Sequence, residues 1–451
     1  MFAKISKRLE ALALKVIEND TATTFKPTVI LHNPETGFKC IPKLVDSIDI
    51  VQNFSDSYLD AIQVVVPLEY PEYLAMMENV QDLECTITLY AANPTTGREY
   101  TDIEPIIIKA RAILENQEDI SKTVGSGIFT NGESSPATGE QASAHITYTF
   151  HLIEHSAFDL RHVGINAIMT NCTIEQVIHY VCAQFGINNV QLVTPDNDMV
   201  YSNLVIPPMK NMSNVFSFLQ ERYGIYSKGL SWFYTQDTIY IYPAFDTTVE
   251  KNTANGILRL VSVPKGTYVG CENYHLVYNS DMYILSNTER QMSAMNSVGE
   301  ENAGGARLSV NSDNTVDGFS TLTSDGTLEI SNDNVSILQM GNKKGSMSSK
   351  SSNIKYDGIR SNIFVSTSEM AMYNGTAMKL GWINAIPRSI VPGQVLEFYY
   401  DESAQIFATK KGRVQQVSYR SMTQKSRTKG QPVFSFVAEL SLFLDPEKSE
   451  E

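Results

Sequence analysis

The 451-residue sequence predicts a mainly β chain interrupted by an α+β middle module. Three observations predict it. Tyr (22) and Phe (19) are abundant, and aromatic rings fill pleated surfaces well. Segments towards both ends of the chain alternate apolar and polar residues with the period of two that marks a half-buried strand. Between them, two segments switch to the three-and-four spacing of amphipathic helices. At roughly 150 residues per domain the length suggests about three domains. A hydrophobic content of 42% lets each bury its own core.

Phe2, Ile5, Leu9, Leu12 and Val16 predict an N-terminal helix within 1–27, docked on its own or a neighbouring subunit. A first β region follows over 28–155. TVILHNPETGFKCI places two short apolar stretches around Asn33-Pro34-Glu35-Thr36-Gly37, a hairpin-type turn. LVDSIDIV (44–51) and AIQVVVPL (61–68) are rich in β-branched residues, with polar QNFSDSYLD between them. A short helix is expected over Tyr70–Glu78, where Pro71 is tolerated in the first turn. In LECTITLY, Leu83, Cys85, Ile87 and Leu89 face one way and Glu84, Thr86, Thr88 and Tyr90 the other. PIIIKARAIL is a further strand. Residues 121–144 are a Gly/Ser/Thr-rich insertion, too long for an ordinary hairpin loop and expected to be mobile or ordered by a partner. HITYTFHLI resumes alternation, with Ile146, Tyr148, Phe150 and Leu152 on one face.

The α+β module is expected over 156–250. TIEQVIHYVCAQFG aligns Ile174, Val177, Ile178, Val181, Cys182 and Phe185 on one helical face. Thr173 and Gln176 fit a capping box, and Gly186 sits where a C-terminal glycine belongs. A short strand, NVQLV, comes next. NMSNVFSFLQERYG repeats the helical logic with Met212, Val215, Phe216, Leu219 and Tyr223, ending at Gly224. GLSWFYTQDTIYIYP reads as two aromatic strands joined at Gln236-Asp237.

Strands return over 251–451, in GILRLVSV, NYHLVYNSDMYIL, VLEFYYD after the Pro392-Gly393 turn, GRVQQVSYR and VFSFVAELSLFL. The last places Phe434, Phe436, Ala438, Leu440 and Leu442 on one face. A polar insertion rich in Ser, Asn, Gly, Asp and Thr occupies about 288–358, a composition that supports little core by itself. The DPEKSEE tail is a solvated segment. No short fixed repeat appears, which disfavours a solenoid or propeller.

Charge narrows the function. Lys and Arg number 35 against 50 Asp and Glu, a net charge of −15. Such a chain does not hold nucleic acid by displacing counterions, nor an anionic membrane. Scattered charges in the first twenty residues break the apolar stretch a signal peptide needs. No apolar run approaches the roughly 20 residues that span a bilayer, so no membrane insertion is expected. Cys40, Cys85, Cys172, Cys182 and Cys271 are odd in number, widely spaced and without a CxxC pair. They read as reduced thiols of a protein made in the cytosol.

Catalytic patterns were tested against the structure they require. His151-Leu152-Ile153-Glu154-His155 matches the H-x-x-E-H string of inverted zinc peptidases. That chemistry needs a helix, whereas the preceding residues alternate with period two. On a strand the two histidines stand about 13 Å apart, beyond the reach of one zinc. Asp313-Asn314-Thr315-Val316-Asp317-Gly318 resembles the start of a calcium loop, but Thr315 and Ser324 stand at positions three and twelve, where an oxygen ligand and a bidentate Glu belong. Gly125, Gly127 and Gly132 lack dinucleotide-site spacing. Gly341-Asn342-Lys343-Lys344-Gly345-Ser346 lacks P-loop order, and no G-x-S-x-G elbow is present. Lys343, Lys344, Lys350 and Lys355 make a small basic cluster, a solvated loop by default. Trp232, Phe233, Tyr234, Tyr240 and Tyr242 could stack bases or sugars but fit the core of a sheet packed on helices. No catalytic, cofactor-binding or metal site is expected, and no cofactor.

The stretch CTIEQVIHYVCAQFGINNVQLV, then IPPMKNMSNVFSFLQERYGIYSKGLSWFYTQDTIYIYP, resembles the middle domain of the baseplate hub proteins of contractile-tailed bacteriophages and of the related base of type VI secretion spike proteins. FSDSYLDAIQVVVPLEYPEYLAMMENVQDLECTITLY resembles the first tube-like β domain of that family. SIVPGQVLEFYY to VFSFVAELSLFL resembles its second. The resemblance implies two tube-like antiparallel β-barrel domains, 28–155 and 251–451, flanking the mixed α/β domain. It implies a non-enzymatic homotrimer whose six β domains adapt a hexameric tail tube, or its initiator protein, above to a threefold central spike below. Baseplate wedge proteins would surround it. The tape-measure protein and transiting DNA would pass through its channel without tight binding. The particle would be a virion tail assembled in the bacterial host cytoplasm. Two departures stand out. Nothing after residue 445 could form a fused β-helical spike, so a spike would be a separate chain, and the 288–358 segment is longer than the family leads one to expect. The alternatives are a tail-associated zinc peptidase or wall hydrolase, resting on His151 and His155, and a host-surface adhesin, resting on 288–358 and on exposed aromatics.

Overall fold

The computed structural model describes residues 23–54, 60–79, 81–113, 145–160, 164–209, 212–247, 257–262, 275–278, 281–286, 291–294, 306–310, 316–322, 328–331, 363–403, 406–424 and 432–445. Most of the expected N-terminal helix, the 121–144 insertion, Cys271, the four-lysine cluster, the glycines at 125, 127, 132, 341 and 345, and the end of the tail lie outside the described residues.

The first β region holds β1 (Thr24–His32), β2 (Lys39–Cys40), β3 (Ser47–Asn53), β4 (Asp60–Glu69), helix α1 (Tyr70–Glu78), β5 (Glu84–Ala92), β6 (Ile106–Ile113) and β7 (His145–Glu154). The middle of the chain holds α2 (His155–Asp159), β8 (Ile165–Thr173), α3 (Ile174–Gln184), β9 (Asn189–Leu192), β10 (Val200–Met209), α4 (Met212–Arg222), β11 (Leu230–Thr235) and β12 (Thr238–Pro243). There follow β13 (Leu258–Ser262), β14 (His275–Tyr278), β15 (Asp281–Ser286), β16 (Gln291–Ala294), β17 (Ala306–Val310), β18 (Val316–Leu322) and β19 (Leu328–Ser331). The chain closes with α5 (Ile363–Asn374), β20 (Thr376–Trp382), β21 (Val395–Ser403), β22 (Ile406–Gln424) and β23 (Val433–Leu444). The chain is mainly β. The last residues of the span expected as a helix, 24–27, are instead strand: β1 pairs with β5 from Thr24↔Ala92 onwards.

Most strands belong to one large sheet whose pairings form a circuit. β22, β3, β4, β7, β6, β5, β1 and β23 are neighbours in that order, all antiparallel, and β23 pairs back onto β22. A second run, β14-β15-β13-β21, joins the first part of β22 on the edge that β3 pairs further along, while β20 and β16 continue from β23. The two bodies share the β22–β23 pair. β13 departs from the antiparallel expectation, pairing parallel with both β15 and β21. The hairpin strand β14 precedes β15 and pairs on its far side, so β15 re-enters in the direction of β13.

Alternation explains the circuit's core. Val29 and Leu31, Ile48 and Ile50, Ile62 and Val64, Cys85 and Ile87, and Phe434 and Phe436 are two residues apart on their strands and buried in one cluster. Leu258, Leu260, Ile284, Leu396 and Phe398 of the second run, and Leu380 and Trp382 of β20, join that same cluster. β23 goes beyond its expected single buried face: Val433, Ser435 and Phe443 are buried as well as Phe434, Phe436 and Leu442. The second face is covered as well, where the Phe443 ring meets that of Phe245 at 4.9 Å.

Two turns repeat one solution. After β1, Asn33 Oδ1 accepts from the amides of Glu35 and Thr36, and Gly37 takes a left-handed φ of 73°. After β5, Asn93 Oδ1 accepts from the amides of Thr95 and Thr96, and Gly97 has φ 65°. The shared Asn-Pro-x-Thr-Gly string makes an Asx turn that only glycine closes without strain.

The middle module has its own core. Ile174, Val177, Ile178, Val181 and Cys182 of α3 and Met212, Val215, Phe216 and Leu219 of α4 pack with Trp232, Tyr240 and Ile241. The capping box is present: the Gln176 amide donates to Thr173 Oγ1 at 3.4 Å, and the Thr173 amide donates to Gln176 Oε1 at 3.0 Å. Gln236 and Asp237 carry φ of 48° and 58° at the β11–β12 turn, the paired left-handed residues of a type I′ hairpin. β9 adds to β12 in parallel.

Gly412 shows how tightly the shared pair is built. A Cβ there would collide with the Phe443 carbonyl oxygen, which is backbone and cannot rotate away. Gly412→Ala is expected to lower stability by about 1–3 kcal/mol through overpacking. Denaturant titration against the parent tests this, and an unchanged midpoint would show that β22 and β23 have room to separate.

Candidate functional site

The H-x-x-E-H string does not converge on one point. His151 lies on β7, with Nδ1 3.3 Å from Gln63 Nε2 on β4. His155 opens α2, with Nδ1 3.5 Å from Glu84 Oε1. Glu84 also meets His32 Nε2 at 3.0 Å. Glu154 is buried and turned elsewhere. Among the described residues no three His, Cys, Asp or Glu side chains are grouped to hold a metal. Of the calcium-loop string, Asp317 and Gly318 lie on β18, while Asp313, Thr315 and Ser324 lie outside the described residues.

What Glu154 does instead is structural. Its Oε2 accepts from Arg388 Nη2 at 3.3 Å and from Thr235 Oγ1 at 3.0 Å, and its Oε1 accepts from the Gln236 amide at 3.2 Å. The two charged side chains are only 8% and 4% exposed. One carboxylate therefore holds the end of β7, the left-handed turn of the β11–β12 hairpin and the loop before β21. Arg388 itself has φ 56°, in the left-handed region that non-glycine residues seldom adopt.

A second buried charge lies on β22. Arg413 Nη1 donates to the Gly393 carbonyl at 2.6 Å, Nε donates to the Asp246 carbonyl, and the guanidinium sits 5.3 Å from the centre of the Tyr242 ring. Burial pulls its pKa below the usual arginine value, opposed by Tyr242 and Asp246. Tyr242 Oη donates to the Phe54 carbonyl at 2.9 Å, and Phe54 packs edge-on against Phe233 at 5.0 Å. Gly393 has φ 75°, and any Cβ there would press into the Tyr242 ring. No motif announced Arg388 or Arg413. Their signal is purely spatial, and only Pro392-Gly393 was visible as a turn.

The aromatic hairpin is buried throughout: Trp232, Phe233, Tyr234, Tyr240 and Tyr242 are each at most 6% exposed. These five rings are therefore core and are not available to stack sugars or bases. Trp232 and Phe233 point to opposite sides of the strand, one to Phe216 of α4 and the other to Phe54 of the large sheet. Burial also pushes the thiols of Cys85 and Cys182 up to about 12, which leaves them poor nucleophiles.

On the outer face of β13, β15 and β21, Arg259 bonds Glu397 at 3.0 Å, Tyr283 at 2.9 Å and Asp281, while Tyr399 Oη donates to Glu397 at 2.7 Å. Burial raises the Glu397 pKa, but the Tyr399 and Arg259 hydrogen bonds outweigh it, and the net shift is downward. Its contribution to stability is full at neutral pH and fades as acid protonates it below the ordinary carboxylate range. No helix among the described residues is long and apolar enough to cross a membrane.

Glu154→Ala is expected to cost about 3–5 kcal/mol, because it strips Arg388 of its buried carboxylate. His151→Ala, at the half-buried rim, is expected to stay within about 0.5 kcal/mol. Denaturant titration of both variants reads the difference. Equal, small effects would remove the junction role from Glu154.

The family model of the bacteriophage PBS1 gene 109 protein matches residues 21–265, which include the first β region and the middle module. A search of curated proteins finds no match. Among solved structures, a tail protein from Neisseria meningitidis MC58 is 10% identical, with 92% of this chain and 96% of that one covered and a TM-score of 0.44. The 43 kDa tail protein of prophage MuSo2 from Shewanella oneidensis is 9% identical, with 92% and 97% covered and a TM-score of 0.41. An Escherichia coli component of the type VI secretion system is 10% identical, with 90% and 74% covered and a TM-score of 0.38. These are tail and secretion proteins at low similarity, and it is the family match over more than half of the sequence that decides membership. The chain belongs to the bacteriophage PBS1 gene 109 protein family.

Proposed function

We propose that this protein is the structural hub of a contractile phage-tail baseplate, acting by assembly and not by catalysis. The observation that carries the reading is the strand circuit that shares β22–β23 with a second run of strands. Each subunit then holds two β bodies in fixed relation, and three subunits present six. A ring of that kind matches a hexameric tail tube, or its initiator, on one side and a threefold spike on the other. In this reading the tube-like domains correspond to 28–155, closed by β22 and β23, and to 251–451, the module at 156–250 joins them, and the segment at 288–358 faces the surrounding wedge proteins.

Charge supports a conduit. At −15 per chain, a trimer carries no overall attraction for a polyanion. Tape-measure protein and DNA would pass without being held. The particle is a virion tail built in the bacterial cytoplasm, consistent with reduced thiols: Cys40, Cys85, Cys172 and Cys182 are buried and unpaired.

Electron microscopy of the purified chain, alone and with the tail-tube and spike proteins of the same phage, tests the proposal. A threefold ring with a central channel and a sixfold-like rim is expected. Particles that stay monomeric even with both partners present would sink it.

A further inference from the structure

The sequence places an apolar stripe, Phe2, Ile5, Leu9, Leu12 and Val16, ahead of β1, in residues that lie outside the described ones. A helix of about 15 residues is marginal in water by itself, so such a stripe needs a surface to pack on. The charges beside it are mostly basic. Lys4, Lys7, Arg8 and Lys15 stand against Glu10, a net +3 in residues 1–16, so the rest of the −15 chain carries −18.

The described residues offer a surface close to where this segment joins. Pro27 on β1, Ile41, Pro42, Leu44 and Val45 in the β2–β3 loop, and Pro432 before β23 line one shallow groove. It lies along the seam of the strand circuit, where β1 meets β23 at the single pair Phe25↔Phe434. Pro42 and Val45 are buried, but Ile41 is 52% and Leu44 48% exposed.

The apolar surface continues onto α1. Lys43 Nζ reaches Glu69 Oε1 at 2.5 Å, which ties the loop to the residue before Tyr70. Burial, and after it the charge of Glu72, push the Cys40 thiol up, so the start of the loop also lies beside α1. Tyr70 (49% exposed) and Leu74 (44%) are one helical turn apart on the same side of α1. From Glu69 to Glu78 the sequence has three glutamates and no basic residue.

Reach and charge identify the occupant. Residues 17–22 span up to about 20 Å when extended, and Thr28 lies about 13 Å along β1 from Thr24. A helix over 2–16 covers about 22 Å, enough to run from the groove onto α1. Its net positive charge complements the glutamates there. A segment tethered this closely has an effective concentration in the millimolar range at its own groove, which places it ahead of any second copy.

We propose that residues 2–16 dock as an amphipathic helix in the groove of their own chain, between the β2–β3 loop and α1, and so cover the β1–β23 seam. The inference does not need the hub reading, since it concerns each chain by itself.

Hydrogen exchange of the full-length chain tests it, with thermal unfolding to check that each variant is folded. Amides within 5–16 are expected to exchange about 10-fold or more slower than in an unstructured chain. Leu44→Asp/Leu74→Asp, at two exposed positions of the groove and α1, should return them to the unstructured rate. Leu9→Asp/Leu12→Asp should do the same. Ile107→Asp is the control and should leave the protection intact, because Ile107 is 51% exposed on β6, two strands from β1. In a second measurement, each of Ile5→Cys, Leu9→Cys and Leu12→Cys is combined with Leu44→Cys and oxidised. At least one pair should cross-link within a single chain, read as a faster monomer band on a non-reducing gel. Cross-links formed only between chains would assign the groove to the segment of a second copy and overturn the proposal. Unprotected amides in 5–16 of the parent, or protection that survives Leu44→Asp/Leu74→Asp, would overturn it as well.

Discussion

The pairing of β22 with β23 is the constraint on which the rest of the structure depends. β22 is 19 residues long because it serves three neighbours: Ile406–Arg413 pairs with β21, Gln416–Arg420 with β3, and Gly412–Gln424 with β23. A strand shared in this way cannot tilt for one body without tilting for the other. The residues at the crowded point are chosen accordingly. Gly412 has no side chain where β23 backbone approaches, and β23 is apolar along nearly all of its length. The arrangement is also non-local to an unusual degree, since β1 meets β23 at Phe25↔Phe434. Closure of the circuit must wait for nearly the whole chain, and contacts of such separation are slow to form.

The middle module is fixed to that frame by buried charge and not by apolar area alone. Glu154 and Arg413 each lose their hydration, a cost of several kcal/mol per ion after relaxation. Well-packed apolar residues could fill such volumes without that cost. What charges add is direction. Glu154 fixes a hairpin turn by its amide and hydroxyl, and Arg413 fixes two carbonyls and an aromatic face. Each one therefore sets the angle between module and sheet, which an apolar contact tolerant of sliding would not. The left-handed backbone at Gln236, Arg388 and Gly393 lies at these same points.

Local structure was legible in the sequence to the extent that it is local. The span expected for α1 coincides with the observed Tyr70–Glu78, and the buried faces of α3 and α4 follow their three-and-four spacing. The period-two pattern through His151 correctly separated the two histidines, since β7 runs to Glu154. What escaped was structure whose signal is tertiary. β8 and β10 were missed because Ile168 and Val205 are apolar on the outer face, and Val200 is exposed although it shares the face of Leu204 and Ile206, which blurs the alternation, and because Pro207-Pro208 argues against a strand. α5 was missed because Ser366, Thr367 and Ser368 interrupt its apolar face. The polar 288–358 stretch nevertheless contains β16 to β19. No local pattern could show that strands from residues 47–53 and 416–420 are neighbours, or that Glu154 is paired with Arg388.

Two kinds of outer surface follow from this, and they have different uses. The row Tyr283, Arg259, Glu397 crosses β15, β13 and β21 and spends its charges on one another. Paired, half-buried ions of this kind fix register within a sheet but offer little to a partner, because their hydrogen-bonding capacity is already engaged. The β8–β10 ribbon is the reverse, since it has no charge to satisfy and leaves apolar side chains in water. Exposing them costs free energy that burial against a second surface would recover, at about 25 cal/mol per Å².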